Sequence, residues 1–271
     1  MSTTNPPATD HWVATAAGRL FARCWQPHAA NLQAPDLHAP IVLLHDSLGC
    51  VALWRNFPAL LAEHTGRTVI AYDRLGFGQS DPRHEPPGMD FVPAEAASGF
   101  AALREHFGLE RFVLLGHSVG GGMAVHCAAH YAAGCEALIT IAAQAFVEER
   151  TRAGIIEARE QFAQPEPFER LRRYHGDKAR WVLQAWIDTW LAPAFADWSL
   201  QAALPQVHCP TLVLHGADDE YGSSLHPQQI AGLVAGPAQL EIMPGVRHMP
   251  HREQEHWVLQ RIGKFLDAGR H

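Results

Sequence analysis

Cysteine is scarce in this chain. Five occur in 271 residues (Cys24, Cys50, Cys127, Cys135 and Cys209), scattered, odd in number and without C-x-x-C spacing. That excludes a disulfide framework and a zinc site, and reads as reduced core thiols in a reducing compartment. Runs of lysine and arginine are missing and the formal net charge is −7, so no nucleic-acid surface is expected. No stretch reaches membrane-spanning length, and the polar, proline-containing residues 1–10 hold no apolar h-region; the expectation is a cytoplasmic protein with no membrane partner. Repeats and low-complexity tracts are also missing. What is present is 47% hydrophobic and 18% charged, the make-up of a soluble globular protein. Its length allows one large domain, or one domain with a substantial insertion.

Short apolar runs alternate with helical patterning along most of the chain. Residues 41–44, 68–72, 112–115, 137–142, 211–214 and 239–243 read as strands, and 51–64, 94–107 and 123–131 as helices among them. Such alternation means βαβ units: an α/β fold with a doubly wound, mostly parallel sheet and helices on both faces. Residues 11–25 read as an antiparallel hairpin turning at Ala17-Gly18, and 27–40 as a polar, proline-bearing connection. Between residues 144 and 205 strand signals stop. Ile155, Ala158 and Phe162 lie at helical spacing; Pro165 and Pro167 end that helix, Gly176 closes the next, and Asp177 is a candidate cap for the one carrying Trp181, Trp186 and Trp190. The division expected is a sheet core, 1–143 and 206–271, with a helical cap at 144–205. Trp198 joins those three tryptophans in the cap, packing on the core or lining an apolar pocket.

Gly116-His117-Ser118-Val119-Gly120 lies between the apolar run 112–115 and a helical stretch. A serine between glycines on a strand-to-helix turn is the G-x-S-x-G nucleophile elbow, which lifts the hydroxyl above the sheet edge and aims the next amide, that of Val119, at whatever the serine attacks. Alone, the pentapeptide is equally a glycine-rich turn whose serine caps a helix. Nucleophilic serine chemistry also needs a base and an acid that orients it. The strand at 211–214 runs into His215-Gly216-Ala217-Asp218-Asp219-Glu220, and the one at 239–243 into Pro244-Gly245-Val246-Arg247-His248. Both loops fall at the elbow's edge of the sheet. Asp218 and Glu220 rival Asp219 as the acid, and His251 and His256 rival His248 as the base among eighteen histidines.

These residues together resemble the α/β-hydrolase superfamily over nearly the whole chain. The resemblance puts the acid in a G-x-x-D turn, met by Gly216 and Asp219, and the base in a G-x-x-H turn, met by Gly245 and His248. Asp73 to Ser80 is similar to the family's D-x-x-G-x-G-x-S segment and is read as a structural turn, since the third glycine of a dinucleotide loop is absent. The family's oxyanion hole takes a second amide from the loop after the strand at 41–44, where His45-Asp46-Ser47 puts Ser47 in the donor position. Asp46 departs from the family's glycine, and its side chain is expected to turn away from the developing charge.

The resemblance implies a serine hydrolase cleaving a carboxylic ester, lactone or thioester of a small to medium apolar acyl group. Ser118 would attack, His248 move the proton, Asp219 orient His248, and the Ser47 and Val119 amides hold the oxyanion, with no metal or organic cofactor. Acyl transfer and C–C bond hydrolysis keep the same residues and stand as alternatives, with a non-catalytic ligand receptor on this fold as a third. A nucleophilic serine argues against the family's dehalogenases and epoxide hydrolases, which use aspartate. The partner expected is a small-molecule substrate; the oligomeric state, a homo-oligomer included, is left open.

Overall fold

A computed structural model describes residues 6–28 and 38–268. Eight strands form one sheet: β1 (Ala8–Thr15), β2 (Gly18–Trp25), β3 (Ile41–Leu44), β4 (Val69–Tyr72), β5 (Phe112–His117), β6 (Cys135–Ile141), β7 (Thr211–Gly216) and β8 (Ala238–Met243). Their spatial order is β1-β2-β4-β3-β5-β6-β7-β8. β1 pairs antiparallel with β2 and β2 antiparallel with β4, and every later pairing is parallel.

Strand alternation splits the core into two layers. Val42, Leu44, Ile70, Tyr72 and Leu114 face one side, where they meet Phe100 and Leu103 of α3 (Gly99–Phe107) and Met123 and Cys127 of α4 (Val119–His130). Ile41, Leu43, Val69, Ala71 and Val113 face the other, against Leu61 of α1 (Phe57–Thr65) and Val258, Ile262 and Phe265 of α10 (Glu255–Ala268). Each strand of residues 41–44 and 69–72 is therefore buried on both faces, which is why it reads as an unbroken apolar run. The remaining core helices are α2 (Phe91–Ala94), α8 (Leu225–Leu233) and α9 (Pro250–Glu253). All five cysteines are buried and unbridged; Cys135, the first residue of β6, and Cys209, just before β7, bring their sulfurs to 3.6 Å.

Three helix boundaries differ from the sequence reading. The helix expected at 51–64 is a 3₁₀ turn at Val51–Trp54 followed by α1, because Arg55 takes a positive φ of 54° and Pro58 starts a new helix better than it continues an old one. The stretch 94–107 is likewise divided, α2 and a 3₁₀ turn preceding α3. In the cap, Pro165 opens α6 (Pro165–His175) at its first turn, where a missing N–H costs nothing, so α5 (Glu149–Phe162) ends just before it. Gly176 closes α6 at φ 58°, while Asp177 does not cap α7 (Ala179–Leu191), whose N-cap is Lys178. The connection expected at 27–40 falls largely on residues 29–37, outside those described.

α5, α6 and α7 form a cap over the carboxyl ends of the strands. Its two ends are stitched together by the Leu200 amide, which donates to Ala145 O at 2.7 Å, and by a bridge between Phe146 and Ser199. Ile155, Leu171, Leu183, Trp186 and Trp190 are buried and continuous with the α4 side of the core. Among the described residues no helix is long and apolar enough to cross a membrane.

Candidate active site

β5 ends at His117 and α4 begins at Val119, which leaves Ser118 alone to make the turn. It does so at φ 56° and ψ −127°, a strained conformation for a residue with a side chain. The glycines explain how the turn fits. A Cβ on Gly116 would lie 2.1 Å from Gly120 O, and one on Gly120 2.2 Å from Leu44 O. Strand, turn and helix thus approach closer than any side chain allows. Val119 is the first residue of α4, so its amide is one of the helix's free N-terminal donors.

His248, on the loop after β8, brings Nδ1 to 2.9 and 3.0 Å from the two carboxylate oxygens of Asp219, on the loop after β7. Asp219 is 1% exposed, and its Oδ1 also accepts the Tyr221 and Gly222 amides at 2.8 and 3.2 Å. Burial pushes the Asp219 carboxyl up, but the His248 and His215 imidazoles and the Tyr221 amide outweigh it and hold it below its ordinary value. Burial works against a charged His248, yet Asp219, Asp46 and Glu220 together raise its pKa. The Asp219 contact fixes the His248 proton on Nδ1 and leaves Nε2 as the basic nitrogen. Of the rivals, Asp218 is exposed and Glu220 accepts the His248 amide at 3.3 Å. His251 is buried against Trp54, Phe57 and His117, and His256 is exposed.

The β3–β5 register sets Leu44 beside Gly116, so the loop carrying Ser47 runs alongside the elbow. The Asp46 side chain packs toward Gly49 of its own loop and toward His117. It lines the same pocket as Ser118 and His248, and its Oδ1 lies 3.9 Å from His117 Nδ1. Burial would raise its pKa, but His117, His45 and His248 hold it below its usual value. His117 Nε2 donates to the His248 carbonyl at 2.9 Å, so one imidazole stands between the Asp46 loop, the elbow and the His248 loop.

Two further residues escaped the sequence reading. The Ser118 hydroxyl donates to Gln144 Oε1 at 3.2 Å and forms no hydrogen bond to His248. His175, closing α6, accepts the Gly78 amide on Nδ1 at 2.9 Å and donates from Nε2 to Leu48 O at 2.9 Å. Burial lowers its pKa, which keeps it neutral for this double role. Neither belongs to a motif; only the proline and glycine marking the ends of α6 hinted that a capped terminus would carry His175 inward. Asp73 performs the structural task read for its segment: Oδ1 accepts the Val51 amide at 2.6 Å and Oδ2 the Gln79 amide at 2.7 Å.

Asp46, Ser47, Ser118, Gln144 and His248 line a pocket of about 240 Å³, walled by Ile155, Phe162, Trp186, Trp190 and Tyr221 among others. A larger groove of about 1060 Å³ opens beside it and shares Ser47, Trp186 and Trp190. The lining of the smaller pocket contains no lysine or arginine. Among the described residues no cluster of histidine, cysteine and carboxylate side chains is arranged to hold a metal ion.

A strained serine elbow, an Asp–His pair on the following loops and a helical cap over a mostly parallel sheet define a class. The chain belongs to the α/β-hydrolase fold family, whose model matches residues 39–205. A non-heme haloperoxidase of Rhodococcus erythropolis is 28% identical over 212 residues, 68% of this chain and 76% of that protein. A (lyso)-N-acylphosphatidylethanolamine lipase of Bos taurus is 34% identical over 101 residues, 36% of this chain but only 29% of the lipase. Among solved structures, a 2-hydroxy-6-oxo-6-phenylhexa-2,4-dienoate hydrolase from Rhodococcus sp. strain RHA1 superposes with TM-score 0.77 at 19% identity, covering 96% of this chain and 99% of that one. A proline iminopeptidase from Mycobacterium smegmatis gives TM-score 0.72 at 23% identity, covering 96% and 98%. At these identities the two structures share the fold and no more.

Proposed function

We propose that the protein is a serine hydrolase that cleaves a carboxylic ester, lactone or thioester of a small to medium apolar acyl group through an acyl-enzyme on Ser118. The observation that carries this reading is the His248–Asp219 pair at 2.9 Å, which turns a basic Nε2 toward the pocket that also holds the strained Ser118. Substrate binding would swing the Ser118 hydroxyl from Gln144 to His248. Oγ then attacks the carbonyl carbon as Nε2 takes its proton, and the charge on the carbonyl oxygen meets the Ser47 and Val119 amides. His248 passes the proton to the leaving oxygen or sulfur. Water enters, gives a proton to His248, and resolves the acyl-enzyme. Asp219 stabilises the imidazolium in both halves without accepting the proton itself. A pocket of about 240 Å³ walled by Trp186, Trp190 and Ile155 suits a short or medium apolar acyl group. A carboxylate-bearing substrate such as a dienoate, the alternative that C–C bond hydrolysis represents, would find no cation in that lining.

Turnover of short-chain nitrophenyl esters tests the activity, and labelling by an organophosphonate tests the nucleophile. The label is expected on Ser118 alone, and Ser118→Ala should fold normally while losing both turnover and label. A label mapped by mass spectrometry to another serine would sink the assignment.

A further inference from the structure

Gln144 is 3% exposed, and its Oε1 takes the hydrogen bond of the Ser118 hydroxyl at 3.2 Å. The backbone around it is fixed. Ala142 holds a positive φ of 49°, the Ala145 amide donates to His226 Nδ1 at 3.0 Å, and Ala145 O accepts the Leu200 amide at 2.7 Å. An acceptor so placed is prepared before substrate arrives.

Its partner is temporary. Ser118 has one hydroxyl hydrogen, and on the acyl-enzyme reading above that hydrogen leaves with the first product. The acylated Oγ is an ester oxygen with nothing to donate, which strands a buried acceptor beside the reaction centre. We propose that Gln144 Oε1 then seats the nucleophile that resolves the acyl-enzyme, and that it favours nucleophiles with two hydrogens on the attacking atom, water or a primary amine, over alcohols. Water can give one hydrogen to His248 Nε2 and the other to Gln144. Its oxygen bonds the acyl carbon, the C–Oγ bond breaks, and the proton taken by His248 returns to Oγ. The hydrogen on Gln144 stays with the acid formed. An alcohol has a single O–H, which the base must take, so Gln144 is left empty. Gln144 is therefore a catalytic residue that sets hydrolysis above transfer to alcohols.

The test compares the parent with Gln144→Met, similar in length and a poor acceptor, using a nitrophenyl ester in water with and without added methanol. The pre-steady-state burst reads acylation and the fraction of folded chain. Product analysis reads the division between acid and methyl ester. Acylation should stay within about twofold, deacylation by water should slow about five- to tenfold, and methanolysis should hold its rate, so that the methyl ester share rises. An equal fall in both deacylations, or no change in their ratio, overturns the assignment while leaving the acyl-enzyme reading intact. No burst from the parent, with no label on Ser118, overturns that reading and the role of Gln144 with it. If Gln144→Met gives no burst, Gln144→Glu, which keeps an acceptor oxygen in place, should retain the parent's preference for water. A preference for methanol in that variant refutes the proposal.

Discussion

Three carboxylates, Asp219, Asp46 and Glu220, bear on His248 and outweigh its burial, so its pKa lies above the ordinary value for histidine. If His248 is the general base of the proposed reaction it works only when neutral, and activity should fall as pH drops through that raised pKa. Glu220→Gln removes one of the three charges while keeping an oxygen to accept the His248 amide. The direction follows: with less negative charge nearby the imidazolium is less favoured, its pKa falls, and the acid limb of kcat/KM should move to lower pH. A limb that stays in place or moves up would show that Glu220 does not reach His248 electrostatically.

At the scale of elements, α7 matters most, because its Trp186 and Trp190 line both the pocket of about 240 Å³ and the groove of about 1060 Å³. Trp186→Ala should merge the two and move the preferred acyl chain to longer members of a series, by roughly fourfold in kcat/KM per added carbon. It should also cost about 3–5 kcal/mol of stability, as truncation of a buried aromatic does. An unchanged acyl-length profile in a folded variant would make Trp186 structural only. The same elements show what a sequence can reveal. β3, β4 and β5 were legible because burial on both faces leaves no polar residue to interrupt them, and the elbow because Gly116 and Gly120 admit no Cβ. That Asp219 and His248 would meet was legible through their positions after β7 and β8. Gln144, His117 and His175 were not, since their roles depend on which loops meet across the cap and sheet, and such contacts leave no local periodicity. Helix ends failed for a related reason: Pro165 reads as a breaker and Pro58 is read through, because a proline's place in a first turn is not visible locally.

At the scale of the whole molecule, one imidazole ties cap to core. His175 binds Gly78 and Leu48 at 2.9 Å each, and Trp181 rests on Gly76, where a Cβ would come within 2.5 Å of its ring. His175→Ala would strand the buried Gly78 N–H, for a loss of about 1–3 kcal/mol, and leave the part-buried Leu48 C=O without its donor at a smaller cost. A drop of several degrees in thermal midpoint is expected, since in a chain of this size each kcal/mol moves it by about 2–4 °C. Ester turnover should fall as well, because Leu48 follows Ser47. A variant that loses stability but keeps full turnover would show that the Ser47 loop holds its shape without the cap. The arrangement has a consequence for traffic. A roof pinned to the loop that carries Ser47 would drag that loop with it if it were raised to let a molecule in. On the proposed reading a substrate would instead come from the side, along the open groove that shares both indoles with the pocket, and would be sized there before its carbonyl met Ser118.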